Sequence, residues 1–150
     1  MYVDESGIDR TIVRKRARAP RGERVVVKRP GKKEKRQNVV AGLCNNKVIS
    51  PISYDWATKA VWFEIWFEWY LCPLLPLNSV IIMDNASFHR KGTLANIAEF
   101  FNYIIIWLPP YSPDKNPIEH LWANLKSWLQ YHIKDYPTLD DAIKDYFHSH

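Results

Sequence analysis

Three carboxylate residues stand where a fold could direct them into one site. Asp84 follows a continuous apolar run, Val80 to Met83, and Asp4 follows the apolar pair Tyr2-Val3. Glu119 lies near the predicted start of a helix. Carboxylates that converge repel one another unless a cation neutralises them. Asp4, Asp84 and Glu119 are therefore candidate metal ligands and candidate catalytic residues.

The types of these residues predict which ion they would bind. Oxygen ligands without histidine or cysteine favour Mg²⁺ or Mn²⁺. Two such ions about 3.5–4 Å apart activate a water or sugar hydroxyl and stabilise the leaving oxygen in a phosphodiester displacement. We therefore expect two divalent ions and a polyanionic substrate, with Asn85 as a candidate for supporting Asp84. His89 and His120 stay outside this set, because a lone histidine beside a strand end is more often structural.

The carboxylates also have ordinary structural explanations. An aspartate after a strand, such as Asp84, commonly caps a turn. Glu119 could complete a capping box in which Asn116 is the N-cap and Pro117 the first helical residue. The geometry of the folded chain must decide between these roles.

The hydrophobic pattern predicts the elements that position these side chains. A short first strand ends in a turn at Asp4–Gly7, and Asn38 to Ile49 forms a strand or a hairpin around Asn45-Asn46. Helices and strands then alternate: helix 56–71, strand 80–83, helix 90–101, strand 103–108, helix 116–132 and helix 138–146. The two later strands are continuous apolar runs, typical of strands buried on both faces. The order predicts one α/β domain over residues 1–150, a ribonuclease H-like mixed sheet of three early strands and then alternating helices and strands, flanked by helices.

Positive charge is concentrated in one segment. The net charge is +5, but residues 10–36 hold 13 basic residues against two acidic ones, a net charge of +11, and the remainder has a net charge of −6. Val25 to Val27 interrupt the basic run and glycine and proline punctuate it, which predicts a strand between turns. A structured basic ribbon favours nucleic acid as the partner. The candidate DNA-contacting residues are Arg14, Lys15, Arg16, Arg18, Arg21, Arg24, Lys28, Arg29, Lys32 and Lys33.

Other patterns exclude several classes of protein. Cys44 and Cys72 lack the spacing of a disulfide framework or a zinc site, which predicts reduced core thiols. The most apolar stretch, residues 61–77, contains two glutamates and two prolines and falls short of a membrane span. The four tryptophans between Trp56 and Trp69 recur at helical spacing, which predicts core packing with one or two left exposed. A cytoplasmic protein without a membrane partner is expected.

Four stretches of the chain carry a family resemblance: VDESG (3–7), APRG (19–22), MDNASFH (83–89) and LPPYSPDKNPIEHLWANLK (108–126). They resemble the catalytic core of DDE transposases of the mariner superfamily, particularly its bacterial insertion-sequence branch. The last stretch is long and specific, and 34 residues separate Asp84 from Glu119, a spacing typical of that superfamily. By residue match, Asp4 and Asp84 resemble the two catalytic aspartates and Glu119 the catalytic glutamate.

The resemblance implies metal-dependent cleavage of DNA at transposon ends, followed by attack of the freed 3′-hydroxyl on target DNA. It also implies a homodimer or larger assembly on DNA, associated with the bacterial nucleoid. Members usually carry helix-turn-helix domains before the first catalytic aspartate, whereas three residues precede Asp4, so a catalytic domain without that region is expected. Two alternatives stay open: a catalytically inactive truncated remnant that only binds DNA or an intact partner, and a ribonuclease H-type enzyme acting on RNA–DNA hybrids.

Overall fold

A computed structural model describes residues 1–10, 35–110, 112 and 115–150. Most of the basic segment lies outside these residues. The predicted strand at Val25 to Val27 and all of the candidate DNA-contacting residues named above therefore lie outside the described residues.

The centre of the fold is a five-stranded mixed sheet with the strand order β3-β2-β1-β4-β5. Its strands are β1 (Tyr2–Ile8), β2 (Gln37–Cys44), β3 (Lys47–Tyr54), β4 (Val80–Met83) and β5 (Ile104–Trp107). The first three strands pair antiparallel, whereas β4 pairs parallel with both β1 and β5. The predicted mixed sheet, with antiparallel strands first and parallel crossovers later, is confirmed.

The hairpin between β2 and β3 turns at Asn45 and Asn46. Both residues adopt positive φ angles, 49° and 61°, as a two-residue hairpin turn requires, and asparagine tolerates this backbone region better than most residues. The predicted hairpin is confirmed, and its turn residues explain where it forms.

The first strand differs from its prediction. Asp4–Gly7 do not form a turn, because β1 continues to Ile8 and pairs with β2 along its whole length, from Tyr2 opposite Leu43 to Ile8 opposite Gln37. Ser6 and Ile8 are buried, so the second half of the strand is held by the core as well as by the ladder. Asp4 consequently lies within a strand and not behind one.

One face of the sheet is covered by the helices that follow β3. Helix α1 (Ala60–Ile65) continues as a π-helical turn (Trp66–Leu71) and a 3₁₀ turn (Cys72–Leu74), and α2 (Lys91–Phe100) packs beside them. The largest buried side chains in this layer are Phe63, Trp66, Phe67, Leu71 and Leu94. Each fully buried side chain of this size contributes about 1.5–3 kcal/mol, so this core anchors the central strands.

The opposite face is covered by α3 (Ile118–His132), a 3₁₀ turn (Ile133–Asp135) and α4 (Leu139–Ser149). Trp122, Leu125 and Leu129 of α3 are buried against Ile8 and Val39 of the sheet. Thr138 caps α4, because its hydroxyl accepts a hydrogen bond from the Asp141 backbone N–H at 3.1 Å. This layer holds α3 firmly across β1 and β2.

Three further predictions need correction. The first helix begins at Ala60, not Trp56. The tryptophans follow their prediction, since Trp66 is buried whereas Trp56 and Trp69 are 50% and 70% exposed. Residues 80–83 and 103–108 are not buried on both faces. In β4, Val80 is 40% exposed, and in β5, which is an edge strand, Ile104 is 66% exposed. No described helix is long and apolar enough to cross a membrane. Cys44 and Cys72 are both free thiols, but of the two predicted core residues Cys72 is buried and Cys44 is only half-buried.

Candidate functional site

The register of the parallel strands brings two aspartates to one edge of the sheet. Tyr2 pairs with Ile82 and Val3 with Met83, and the parallel ladder ends there. Asp4 and Asp84 are the next residues on their strands, at the point where β1 and β4 separate. Open α/β sheets place ligands in such crevices at the carboxyl ends of their parallel strands.

Glu119 joins these two residues from a different layer. It lies in the first turn of α3, and Asp4, Asp84 and Glu119 all line one open cleft of about 370 Å³. The other residues of the cleft are Asn85, Ala86, Leu108, Pro109, Pro110, Ser112 and Asn116. The three predicted site residues and Asn85 therefore face one space.

Asp4 is held by the third helix. Its Oδ2 accepts a hydrogen bond from the indole Nε1–H of Trp122 at 3.0 Å. Burial raises the pKa of Asp4 from 3.8 to about 7, the hydrogen bonds from Glu5 and Trp122 oppose the rise, and the charges of Asp84 and Glu119 add to it. Because the charges of both other carboxylates contribute to this rise, the three groups interact electrostatically.

Asp84 is held by a buried histidine. His89 Nε2 lies 3.2 Å from Asp84 Oδ1 and its side chain is only 4% exposed, whereas that of Asp84 is 48% exposed. The imidazole packs against the rings of Phe63, Phe88 and Trp107. Because these rings restrict its orientation, the hydrogen bond fixes the direction in which Asp84 presents its other oxygen to the cleft.

A second cavity of about 160 Å³ lies behind the two aspartates and contains a fourth carboxylate, Glu5. Burial raises the pKa of Glu5 from 4.5 to about 8; a hydrogen bond from Thr58 opposes the rise, and the charges of Asp84 and Asp4 add to it. Glu5 Oε1 and His89 Nδ1 are both buried without a hydrogen-bond partner, so this cavity holds polar groups that its walls do not satisfy.

The predicted capping box does not form at the start of α3. The helix begins one residue later than that interpretation requires, with Pro117 at the N-cap position and no side-chain cap. The Glu119 backbone N–H donates to the Asn116 carbonyl at 3.0 Å, and the Asn116 Oδ1 has no partner within the described part of the chain. The Glu119 residue is exposed and is not engaged as a cap.

The donor set of the cleft fits a hard divalent cation. Its charged lining residues are three carboxylates, with no lysine or arginine among the described ones, and the asparagines add neutral oxygens of the kind that Mg²⁺ and Mn²⁺ accept. Burial is the main cause of the raised pKa of Asp4, and the smaller added repulsion from Asp84 and Glu119 is the kind that such a cation would relieve. Among the described residues, no three histidine, cysteine, aspartate or glutamate side chains are already drawn together closely enough to hold a metal ion.

Sequence reasoning did not assign four of the side chains that build the site, namely Glu5, His89, Asn116 and Trp122. Glu5 could have been distinguished from Asp4, because alternation along a strand places neighbouring residues on opposite faces. Asn116 was considered only as a possible helix cap, and a lone histidine such as His89 is more often structural. A usable signal existed for Trp122, because Glu119 and Trp122 are three residues apart and share one helix face.

The fold resembles solved structures of DNA-rearranging enzymes. The Mos1 strand transfer complex superposes with a TM-score of 0.76 at 19% identity, covering 99% of this chain and 45% of that chain. The Mos1 mariner paired-end complex with Mn superposes with a TM-score of 0.60 at 18% identity, covering 99% and 51%. A simian T-cell lymphotropic virus intasome, in complex with a PP2A regulatory subunit, gives a TM-score of 0.54 at 16% identity, covering 75% and 40%. At these identities the likeness shows the ribonuclease H-like fold alone.

Sequence comparison identifies the family. The uncharacterized protein y4pE/y4sA of Sinorhizobium fredii is 35% identical over 68 residues, which are 44% of this chain and 46% of that protein. The chain thus spans about half the length of the relatives that it matches. The profile of the DDE superfamily endonucleases matches residues 1–140, nearly the whole chain. The chain therefore belongs to the DDE superfamily of endonucleases.

Proposed function

We propose that this chain is the catalytic domain of a DNA transposase, with Asp4, Asp84 and Glu119 as its catalytic carboxylates. The observation that carries this proposal is the common cleft. Three acidic side chains from β1, the end of β4 and the start of α3 line it, although they are far apart in sequence. Membership of an endonuclease family supports the same catalytic role for this cleft.

The carboxylates would hold divalent ions, Mg²⁺ or Mn²⁺, and two ions fit the reaction best. When bound, these ions would supply activation of the attacking oxygen and stabilisation of the leaving oxygen. The protein positions the ligands: Trp122 orients Asp4 and His89 orients Asp84. Asn85, which lines the same cleft, is a further polar group beside Asp84.

The proposed reaction has two steps. In the first, a water oxygen bonds to phosphorus, the P–O3′ bond of the DNA strand breaks, and a 3′-hydroxyl and a 5′-phosphate are released. In the second, the oxygen of that 3′-hydroxyl bonds to a phosphorus of target DNA, and the P–O3′ bond of the target strand breaks. The cleft admits this chemistry because Asp84 and Glu119 remain open to solvent.

The proposed partners are transposon-end DNA, target DNA and a second copy of the protein. The Mos1 structures are paired-end and strand transfer complexes, which supports a dimer or larger assembly. The segment 10–36, with its net charge of +11, supplies the positive charge that a DNA backbone requires. A truncated remnant that binds DNA without cleaving it is the alternative.

The test is nicking of supercoiled plasmid DNA by the purified chain in Mn²⁺. We expect the parental chain to nick DNA, Asp84→Asn and Glu119→Gln to lower the rate by at least about 100-fold, since catalytic carboxylates act as a unit, and chelator to abolish nicking. Asp135→Asn, which removes an equal charge on the 3₁₀ turn after α3, is the matched control and should nick as the parent does.

The outcomes separate the alternatives. DNA binding without any nicking would favour the inactive remnant, and nicking that persists in Asp84→Asn would rule out the proposed cleft. Preferential cleavage of an RNA–DNA hybrid over duplex DNA would instead favour a ribonuclease H-type enzyme.

A further inference from the structure

Asn116 is a buried polar residue that its own surroundings leave unsatisfied. The residue is only 4% exposed, and among the residues that the structure describes its side-chain oxygen has no hydrogen-bond partner. Buried polar groups without a partner are rare because their desolvation is not compensated. Such a residue calls for a specific explanation.

Helix capping does not explain it. Asn116 directly precedes the N-cap residue of α3, and no side chain caps this helix start. The contribution of Asn116 to the helix is its backbone carbonyl, which accepts from the Glu119 N–H at 3.0 Å. Any residue at this position would supply that carbonyl, so the amide side chain has no evident part in forming the helix.

The location of the side chain points to a ligand. Asn116 lines the cleft that Asp4, Asp84 and Glu119 share, and it lies three residues before Glu119, to which its backbone is bonded. An asparagine carbonyl oxygen is a suitable neutral ligand for a hard divalent cation. A neutral donor adds coordination without adding to the repulsion among the carboxylates.

We propose that the Asn116 side-chain oxygen is a further donor to the divalent cation held by the three carboxylates. This inference rests on the proposed function, because it takes the metal site of that cleft as given. In the metal-free protein the amide oxygen is unsatisfied, and cation binding supplies its partner. The inference predicts opposite effects of one substitution on fold stability and on metal affinity.

The experiment measures Mn²⁺ binding by the full chain, using calorimetry and the electron paramagnetic resonance signal of free Mn²⁺. We expect Asn116→Ala to weaken Mn²⁺ affinity about tenfold, while its melting temperature in chelator equals or exceeds that of the parent. Asn116→Asp should melt at a lower temperature in chelator and show a larger Mn²⁺-induced rise. Asn96→Ala, an exposed asparagine on α2, should change neither quantity.

Different results would overturn different claims. If Asn116→Ala binds Mn²⁺ as tightly as the parent while Asp84→Asn binds weakly, the Asn116 role is wrong and the proposed metal site stands. If Asn116→Ala melts at a clearly lower temperature in chelator and keeps its Mn²⁺ affinity, the side chain is structural. If the parental chain does not bind Mn²⁺, both the proposed function and this inference fail.

Discussion

At the scale of single residues, the site is built from carboxylates whose surroundings differ. Asp4 and Glu5 are neighbours in sequence, but their surroundings differ. Asp4 lines the cleft and accepts a hydrogen bond from Trp122, whereas Glu5 lines the smaller cavity behind the two aspartates. Sequence patterns pointed to Asp84 and Glu119 because a strand end and a helix start are visible in the hydrophobic pattern, whereas Asp4 lies within β1, which continues beyond its predicted end. They did not reveal Glu5 or His89, since those roles depend on which side chains the fold packs around them.

The His89 contact predicts a specific kinetic effect. His89→Phe keeps an aromatic ring among Phe63, Phe88 and Trp107 but removes the hydrogen bond to Asp84. We expect about tenfold slower Mn²⁺-dependent nicking and a higher Mn²⁺ concentration at half-maximal rate, with little change in melting temperature in chelator. His120→Phe, at an exposed histidine, is the control; an unchanged Mn²⁺ dependence in His89→Phe would contradict a positioning role.

The buried Glu5 predicts a pH dependence of stability in the metal-free chain. Its pKa is raised from 4.5 to about 8 by burial above all, so the folded chain holds a proton that the unfolded chain releases. The contribution of Glu5 to the free energy of unfolding is therefore greatest below about pH 4.5, and it is lost as the pH rises through about 8. Glu5→Gln removes this decline, and each pKa unit is worth about 1.4 kcal/mol.

Urea unfolding in chelator at pH 5 and pH 8.5 measures this effect. We expect Glu5→Gln to exceed the parent by a few kcal/mol at the higher pH and to match it at the lower one. Glu99→Gln, at an exposed glutamate of α2, should follow the parent at both. Equal pH dependence in Glu5→Gln and the parent would show that Glu5 ionises without a penalty.

At the scale of elements, the order of strands and helices followed from the sequence, but several boundaries did not. Alternating apolar runs and helical periodicity are local, so they predicted early strands followed by alternating helices and strands, and they left open whether residues 38–49 form one strand or a hairpin. The length of β1 depends on a partner strand that is distant in sequence, since Ile8 at its end pairs with Gln37, and the late start of α3 depends on how the chain packs before it. Exposure on β5 follows from its place at the edge of the sheet, which a local pattern cannot express.

The contact between α3 and β1 gives a prediction at this scale. Trp122→Phe keeps an aromatic side chain in the core but removes the indole donor to Asp4. Because this hydrogen bond lowers the pKa of Asp4, which is about 7 in the folded chain, its loss raises that pKa further. A hydrogen bond to a charged acceptor is worth about 1.5–3 kcal/mol and one to a neutral acceptor about 0.5–1.5 kcal/mol.

The stability difference between Trp122→Phe and the parent should therefore be larger at pH 8.5 than at pH 5, as measured by urea unfolding in chelator. Trp66→Phe, which removes an indole hydrogen bond to the neutral Ser50 carbonyl at 3.0 Å, is the matched control and should lose stability equally at both pH values. A pH-independent loss in Trp122→Phe would mean that its indole contributes packing alone.

At the scale of the whole molecule, the chain divides into two parts of opposite net charge. The net charge of +5 combines a segment of +11, over residues 10–36, with a remainder of −6 that contains the acidic cleft. An acidic cleft repels DNA until cations occupy it, so attraction of the DNA backbone must come from elsewhere in the chain. The basic segment is the largest source of positive charge, and it supplies the attraction in our proposal.

Salt titration of DNA affinity tests this division of charge. Each phosphate contact adds about 0.9 to the slope of log affinity against log salt concentration, so replacing Arg14, Lys15 and Arg16 with glutamine should lower the slope by up to about three. The control replaces Lys47, Lys59 and Lys134 with glutamine. These are three exposed lysines of the acidic remainder, and their replacement removes the same charge. Fluorescence anisotropy with duplex DNA in chelator measures both slopes. We expect only the Arg14, Lys15 and Arg16 variant to lower the salt slope, because phosphate contacts act locally. An equal decrease in both variants would mean that net charge alone attracts DNA and that the segment has no special part in binding.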